Sequence, residues 1–253
     1  MRASSHRPRK RFGQHFLHDP GVVRRIVEAI APAAEDFIVE IGPGEGVLTR
    51  PLAERAGTLE AIEIDRDLAA ALPRERVTVH VADALEFDFG ALPAGARIVG
   101  NLPYNISTPL LFRLARFATR LRDLHFMLQR EVVERMVAAP STPAYGRLSV
   151  MLQARFRMAM LFRVPAGAFR PPPKVESAVV RMVPLAEPLD AGAERFADVV
   201  RKAFSARRKT LRNALGLAPE EFAALGIDPR LRPENLSPQD YARVARRSMN
   251  SIL

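Results

Sequence analysis

The sequence predicts an α/β fold: a parallel sheet with helices on both faces, followed by a small, all-helical C-terminal domain. Three observations predict it. Short apolar runs alternate with helical stretches through the first 130 residues, the pattern of parallel strands buried on both sides. Two more apolar runs then follow close together. From about Ala193 only helical patterning remains.

The elements follow in order. Pro20 to Ala31 reads as a helix and Phe37 to Ile41 as the first buried strand. Val47 to Ala56 is helical, and Leu59 to Ile64, Val77 to Val81 and Arg97 to Val99 are strands. Ser107 to Ala118 is a helix with Ser107 as N-cap and Pro109 in its first turn. Leu124 to Leu128 is the fifth strand. Arg155 to Val164 and Val175 to Val183 are expected to pair antiparallel at a sheet edge, with the turn-rich Pro165 to Pro173 between them. Pro184 to Gly192 reads as a linker, followed by helices at Glu194 to Ala206, Lys209 to Leu215, Pro219 to Leu225 and Pro238 to Met249. The expected domains are therefore residues 1–189, with a basic N-terminal arm, and residues 190–253.

Composition narrows the function. The chain has 253 residues, 48% hydrophobic and 26% charged, ordinary values for a globular protein. No run approaches eighteen apolar residues, so no spanning helix and no membrane partner are expected. It contains no cysteine, which removes disulfides, thiol nucleophiles and iron–sulfur ligation. Its five histidines are scattered, so no metal is expected. The formal net charge of +10 favours a polyanionic partner. Arg2, Arg7, Arg9, Lys10 and Arg11 open the chain without an apolar segment, so a cytoplasmic protein with a basic arm is expected rather than a secreted one.

The strongest local motif is Val39-Glu40-Ile41-Gly42-Pro43-Gly44-Glu45-Gly46, directly after the first strand. Glycines there let the backbone approach a ligand. The spacing differs from that of dinucleotide binders, and Pro43 removes an amide that a pyrophosphate would use. Both points favour a nucleoside cofactor lacking a diphosphate. Glu63 ends the second strand about twenty residues on, placed for the two ribose hydroxyls. Asp83 follows the third strand, placed for an adenine amino group. Gly42, Gly44, Glu63 and Asp83 thus mark an adenosine site at the carboxyl edge of the sheet.

The fourth strand delivers Gly100-Asn101-Leu102-Pro103-Tyr104-Asn105. This resembles the (Asp/Asn/Ser)-Pro-Pro-(Tyr/Phe) signature of methyltransferases that act on exocyclic amines of nucleobases. Adenine N6 is a poor nucleophile because its lone pair is delocalised into the ring. The Asn101 side-chain oxygen and the Leu102 carbonyl can accept from the amine, orient it and localise that lone pair. Pro103 fixes the turn, and Tyr104 is placed to stack on a purine flipped out of its helix.

With these motifs the chain resembles the bacterial 16S rRNA adenine N6,N6-dimethyltransferases, the KsgA/RsmA type, over nearly its full length. The resemblance also rests on Lys10-Arg11-Phe12-Gly13-Gln14-His15-Phe16-Leu17, Val164-Pro165 through Phe169, Pro173 through Val180 and Phe204 through Asn213. It implies a Rossmann-like class I methyltransferase sheet, S-adenosylmethionine as cofactor without a metal, and dimethylation of two adjacent adenosines near the 3′ end of 16S rRNA. It implies that His15, Leu17, Gly42, Glu63, Asp83 and Asn101 line the cofactor site, with His15 standing where asparagine is more usual. It also implies that Phe169 sandwiches the target adenine against Tyr104; read from the residues alone, Phe169 equally suits a loop anchor. The partner implied is the small ribosomal subunit, bound by a monomer.

Between Val199 and Ala218 there are six basic residues and no acid: Arg201, Lys202, Arg207, Arg208, Lys209 and Arg212. A face of this kind supplies phosphate affinity without reading sequence. Arg170, Lys174, Arg243, Arg246 and Arg247 are expected to extend it. Two rivals stand beside this reading: a 23S rRNA adenine dimethyltransferase of the macrolide-resistance type, and a ribosome-assembly factor keeping the fold without the activity. A small-molecule methyltransferase leaves the basic helical segment unexplained.

Overall fold

The structure, a computed structural model, describes residues 14–190 and 193–247. The basic arm, Lys10 to Gly13 and the end of the last expected helix lie outside the described residues.

The chain opens with β1 (Phe16–Leu17) and α1 (Pro20–Ile30). Helix α1 starts where Asp19 accepts the Val22 amide at 2.9 Å, with Pro20 in its first turn. Its Val22, Ile26, Val27 and Ile30 form one buried stripe. There follow β2 (Phe37–Ile41), α2 (Thr49–Ala53), β3 (Thr58–Glu63), α3 (Arg66–Ala70), β4 (Thr78–Val81), β5 (Ala96–Asn101) and α4 (Ser107–Ala115). Then come β6 (Leu121–Gln129), α5 (Arg130–Val137), α6 (Arg147–Gln153), β7 (Phe156–Val164), β8 (Phe169–Arg170) and β9 (Ser177–Pro184). The chain ends in α7 (Ala193–Ser205), α8 (Leu211–Leu215), α9 (Pro219–Leu225) and α10 (Pro238–Arg247).

Seven strands form one sheet in the order β4-β3-β2-β5-β6-β9-β7. Strands β4 to β6 run parallel, and β9 is antiparallel to β6. The central strands β2, β5 and β6 are buried on both faces, whereas β7 at the edge alternates buried and open positions. A second, two-stranded sheet joins β1 to β8, pairing Phe16 with Arg170 and Leu17 with Phe169.

The structure departs from the expectations at a few places. Ile106, not Ser107, caps α4; Ser107 lies inside the helix and its hydroxyl donates back to the Tyr104 carbonyl at 3.1 Å. Helices α5 and α6 were not expected. Lys209 belongs to the turn before α8, which Thr210 caps. Contacts divide the described chain into two compact units. The first runs up to Val133 and takes Ala159–Pro184; the second takes Glu134–Met158 and the chain from Leu185 on. The segment holding α6, which sequence grouped with the sheet, thus packs with the helices. Tyr145 shows why: it is fully buried in the helical core beside Phe196 and Tyr241, and its hydroxyl donates to the Leu236 carbonyl at 2.9 Å. Among the described residues no helix is long and apolar enough to cross a membrane.

The amino ends of the central strands share one buried cation. Arg97 on β5 bonds Asp123 on β6 at 2.8 and 3.1 Å, Asp36 before β2 at 2.6 Å, and the Ile30 carbonyl ending α1 at 2.5 Å. Arg122, the extra residue of a bulge on β6, reaches the other Asp36 oxygen at 2.7 Å. Burial pushes the Asp36 carboxyl up, but the Ala33 amide and the two guanidinium groups outweigh it and hold it below the usual carboxylate range. Replacing Arg97 by leucine takes the nearest charge partner from Asp123 and from one oxygen of Asp36, both buried. Urea unfolding of Arg97→Leu should therefore show a loss of about 3–5 kcal/mol, and a loss below about 1 kcal/mol would contradict this role.

Candidate active site

The carboxyl ends of β2, β3 and β5 and the turn after β4 meet at one cavity of about 260 Å³, whose walls include His15, Gly42, Glu63, Asp83, Asn101 and Tyr104. Gly44, Leu17, Leu102 and Pro103 also line it. The turn after β2 passes through Gly42, Gly44 and Gly46 at φ of 67°, 56° and 76°, a region that side chains resist. At Gly44 a Cβ would also stand 3.1 Å from the Phe16 ring. Gly100 serves the same end differently: a Cβ there would meet the Ile41 carbonyl oxygen at 2.4 Å, so only glycine lets β5 run this close to the start of the turn.

Glu63 is held from both sides. One carboxylate oxygen accepts the Gly44 amide at 3.2 Å and the other accepts the Asp65 amide at 2.9 Å. Burial pushes its pKa up, and the amides only partly offset that. Asp83 lines the cavity and accepts the Leu85 amide at 2.8 Å through one oxygen. Asp65, two residues beyond Glu63, caps α3 and is 1% exposed.

The Asn101 turn is equally fixed. The Asn101 amide nitrogen donates to the His15 carbonyl at 3.1 Å, which leaves its oxygen as the acceptor. The Leu102 amide donates to the Met127 carbonyl at 3.2 Å while its side chain is buried. The Tyr104 hydroxyl and the Ser177 hydroxyl share a bond of 2.8 Å, and burial keeps the phenol neutral by raising its pKa. The His15 ring stacks on Tyr104 at 5.7 Å between centroids, tilted 28°, with Nδ1 2.8 Å from the Pro171 carbonyl oxygen.

Phe169, expected to face Tyr104, is not among the residues lining the cavity. It is 3% exposed and packs in the core with Leu17, its partner across the short sheet. In the helical unit the basic run divides. Lys202 donates to the Leu215 carbonyl, Arg201 pairs with Asp198, and Arg207 bonds Glu234 at 2.7 Å and the Pro143 carbonyl at 3.1 Å. Arg208, Lys209 and Arg212 are exposed and carry no such bond among the described residues.

Three residues were missed. Gln14 lines the cavity and donates to Asp65 at 3.3 Å. Ser177 anchors Tyr104; its place in the Lys174-Val175-Glu176-Ser177 motif was the available signal. Glu40 is fully buried at the cavity wall with one carboxylate oxygen unpartnered. An acid inside an apolar strand was the signal there. Burial, aided by the Glu63 charge, pushes the Glu40 pKa up to about 7. Two buried acids beside one cavity create a negative field that suits a ligand with positive charge. Among the described residues no group of three His, Cys, Asp or Glu side chains is placed to hold a metal ion.

Comparison with known proteins agrees with this geometry. A family model described as "Ribosomal RNA adenine dimethylase" matches residues 5–249. A protein of Thiobacillus denitrificans named "Ribosomal RNA small subunit methyltransferase A" is 61% identical, with 94% of this chain and 97% of that protein covered. Its counterpart of the same name in Aromatoleum aromaticum is 60% identical, covering 95% and 94%. Among solved structures, a dimethyladenosine transferase from Plasmodium falciparum shares the fold with a TM-score of 0.84 at 24% identity, covering 94% of this chain and 98% of that one. The 23S rRNA methyltransferase ErmE follows with 0.73 at 28% identity, covering 92% and 98%.

The Glu40 shift has a consequence for stability. Between pH 4.5 and about 7 the folded chain holds a proton there that the unfolded chain has released. Stability is therefore intact below that window, falls as pH rises through it, and is lowest above it by about 3 kcal/mol. In urea unfolding, Glu40→Gln should narrow the gap in stability between pH 5 and pH 8. An unchanged gap would mean that Glu40 ionises as an ordinary carboxylate.

Proposed function

The chain belongs to the ribosomal RNA adenine dimethylase family, and on that premise we propose that it transfers two methyl groups from S-adenosylmethionine to N6 of each of two adjacent adenosines near the 3′ end of 16S rRNA. The observation that carries the reading is the convergence of Gly42, Glu63, Asp83 and the Asn101–Tyr104 turn on one cavity.

The residues fit the cofactor. Gly44 is bare where a Cβ would strike Phe16, Glu63 is preset for a ribose, and one Glu40 carboxyl oxygen is buried without a partner beside the cavity, where a nearby cation would favour its ionised form. Glu63 would hold the ribose hydroxyls and Asp83 the adenine amino group, with the glycine turn along the nucleoside and His15, Leu17 and Asn101 closing the wall. When bound, the cofactor supplies an electrophilic methyl group on a sulfonium.

The chain's own contribution is positioning. Asn101 is locked through its amide nitrogen to His15, so its oxygen accepts from the target amine, together with the Leu102 carbonyl. These bonds turn the amine and localise its lone pair. Pro103 stiffens the turn, and Tyr104, pinned by Ser177, offers its face to the base. Once alkylated, the nitrogen is acidic and loses its proton to water or a carbonyl, so no strong general base is required. In the second transfer the monomethylated amine has one N–H left, so it keeps one of these two acceptor contacts.

RNA affinity is assigned to the helical unit, chiefly to Arg208, Lys209 and Arg212, with Arg170 and Lys174 of the sheet-bearing unit adding to it. Arg207 has a structural share through Glu234 and Pro143. A monomer working in the cytoplasm on the small subunit is the setting proposed. The names of the relatives at 60–61% identity support the small subunit over a 23S substrate.

Labelled S-adenosylmethionine incubated with unmethylated small subunits should yield N6,N6-dimethyladenosine, and unmethylated large-subunit RNA in parallel should take no label. Label on the large-subunit RNA alone would overturn the substrate assignment. Asn101→Ala should cut turnover about 100-fold while RNA affinity changes little; equal losses in both would place Asn101 in RNA binding instead. Arg208→Ala combined with Lys209→Ala should lower the slope of log K against log salt by roughly 1.5. An unchanged slope would remove these two from the phosphate contacts.

A further inference from the structure

We infer that a second cleft, between α1 and the segment around α2, holds one nucleotide of the RNA strand beside the target adenosine, with Arg24 and Arg55 on its phosphate; this rests on the reading of RNA as the substrate given above. The cleft has a volume of about 350 Å³. His18, Arg24 and Arg55 supply its polar lining, and Pro20, Val23, Val47 and Pro51 belong to its apolar wall. No acid is among the described residues that line it. The three basic residues are exposed, and among the described residues their side chains have no hydrogen bond or ion pair. Glu28 stands one turn on from Arg24 and Glu54 stands beside Arg55 in the chain, yet neither is paired with its neighbour. Elsewhere in the same unit Arg122 and Arg130 do hold acids, Asp36 at 2.7 Å and Glu176 at 2.8 Å.

The lining fits a nucleotide. Two guanidinium groups that share one hollow without a counter-charge repel each other, and a bound anion removes that cost. Their forks match the oxygens of a phosphate. The rings of His18, Pro20 and Pro51 add flat surface of the kind on which a base or ribose rests. The volume lies near the lower end of the range for ligand pockets, about 300–1,000 Å³, which gives room for one nucleotide and none for a duplex. The cleft is also well placed. Val47 lines both it and the active-site cavity, so a single side chain separates the two there. The His18 amide bonds the Ala168 carbonyl at 2.9 Å, which ties the edge of the cleft to the loop before β8. An RNA strand whose base has turned into the cavity runs on past its rim, and a neighbouring phosphate then comes within reach of these unpaired cations. Such a contact reads no base; it holds the register of the strand while the amine is methylated.

The test compares Arg24→Ala with Arg55→Ala in one protein against a control of equal charge loss, Arg74→Ala with Arg76→Ala, both exposed and outside the cleft. Affinity for unmethylated small subunits is measured at several salt concentrations, together with steady-state methylation of the same subunits. Affinity for S-adenosylmethionine is measured separately by calorimetry. The cleft variant should lower the slope of log K against log salt by roughly 1.4, the value for two contacts to a single strand. It should raise KM for the subunit about tenfold, with cofactor affinity within about twofold of wild type. The control should move slope and KM far less. A wild-type slope and KM in the cleft variant would overturn the inference. So would equal losses in the control, which would assign the effect to net charge, or a tenfold loss of cofactor affinity in the cleft variant, which would place the pair at the cofactor. A wild-type protein that binds the subunit but transfers no methyl group would sink the methyl-transfer reading, while the salt slopes would still decide whether the cleft holds RNA.

Discussion

One buried guanidinium sets the frame on which the cavity is built. Arg97 satisfies Asp36, Asp123 and the carbonyl end of α1 together. It does so at the amino ends of three neighbouring elements, and a fork of five donors can meet such a set only in one relative alignment. With Ile38 opposite Arg97, β2 and β5 reach their carboxyl ends in step, so that Gly100 passes the Ile41 carbonyl as the glycine turn begins. The ion network and the ligand cavity lie at opposite ends of the same strands. A shift of one residue in register would reverse which side chains face each helical layer and would separate Gly42 from Asn101.

The second constraint is the short sheet between β1 and β8. It ties a segment near the start of the chain to a loop far along it, through Leu17 and Phe169 in the core. The His18 amide adds a bond to the Ala168 carbonyl at 2.9 Å. Because Leu17 is anchored, Phe16 can cover Gly44, and the His15 carbonyl can reach Asn101. The aromatic pair at the mouth, His15 on Tyr104, follows from this tie and from Ser177 on β9. Four chain segments therefore fix one asparagine and one tyrosine, which suits a reaction whose catalysis is placement more than proton transfer.

Much of this was legible in the sequence because it is local. The strands from Phe37 and Ala96 show as apolar runs, and the glycine turn, Glu63, Asp83 and the Asn101 turn are marked by residue type at strand ends. What was not legible depends on long-range partners. Strands β1 and β8 are two residues each, too short for periodicity to register. Phe169 in a proline-rich loop looked available, and only pairing with Leu17 sends it inward. The helical character of α5 and α6 was hidden because each is short and follows a strand or a turn, and the burial of Tyr145 with Val150 of α6 in the helical core is a tertiary fact. Arg207 and Lys202 looked like the other cations of their run; their partners Glu234 and Leu215 lie 27 and 13 residues away.

The placement of charge completes the argument. A chain of net charge +10 keeps Glu40 and Glu63 buried at the glycine-turn cavity, at a cost in desolvation that folding alone gives no reason to bear. A cationic ligand offsets that cost only when it is present, so the acids convert folding free energy into affinity for a small positively charged group. The exposed arginines do the reverse: screened by water, Arg208 and Arg212 contribute little to stability and remain available to a polyanion. Buried anions for a small cationic donor and exposed cations for a large anionic acceptor are two separate solutions to two binding problems. A protein that moves a methyl group from a sulfonium to RNA must solve both.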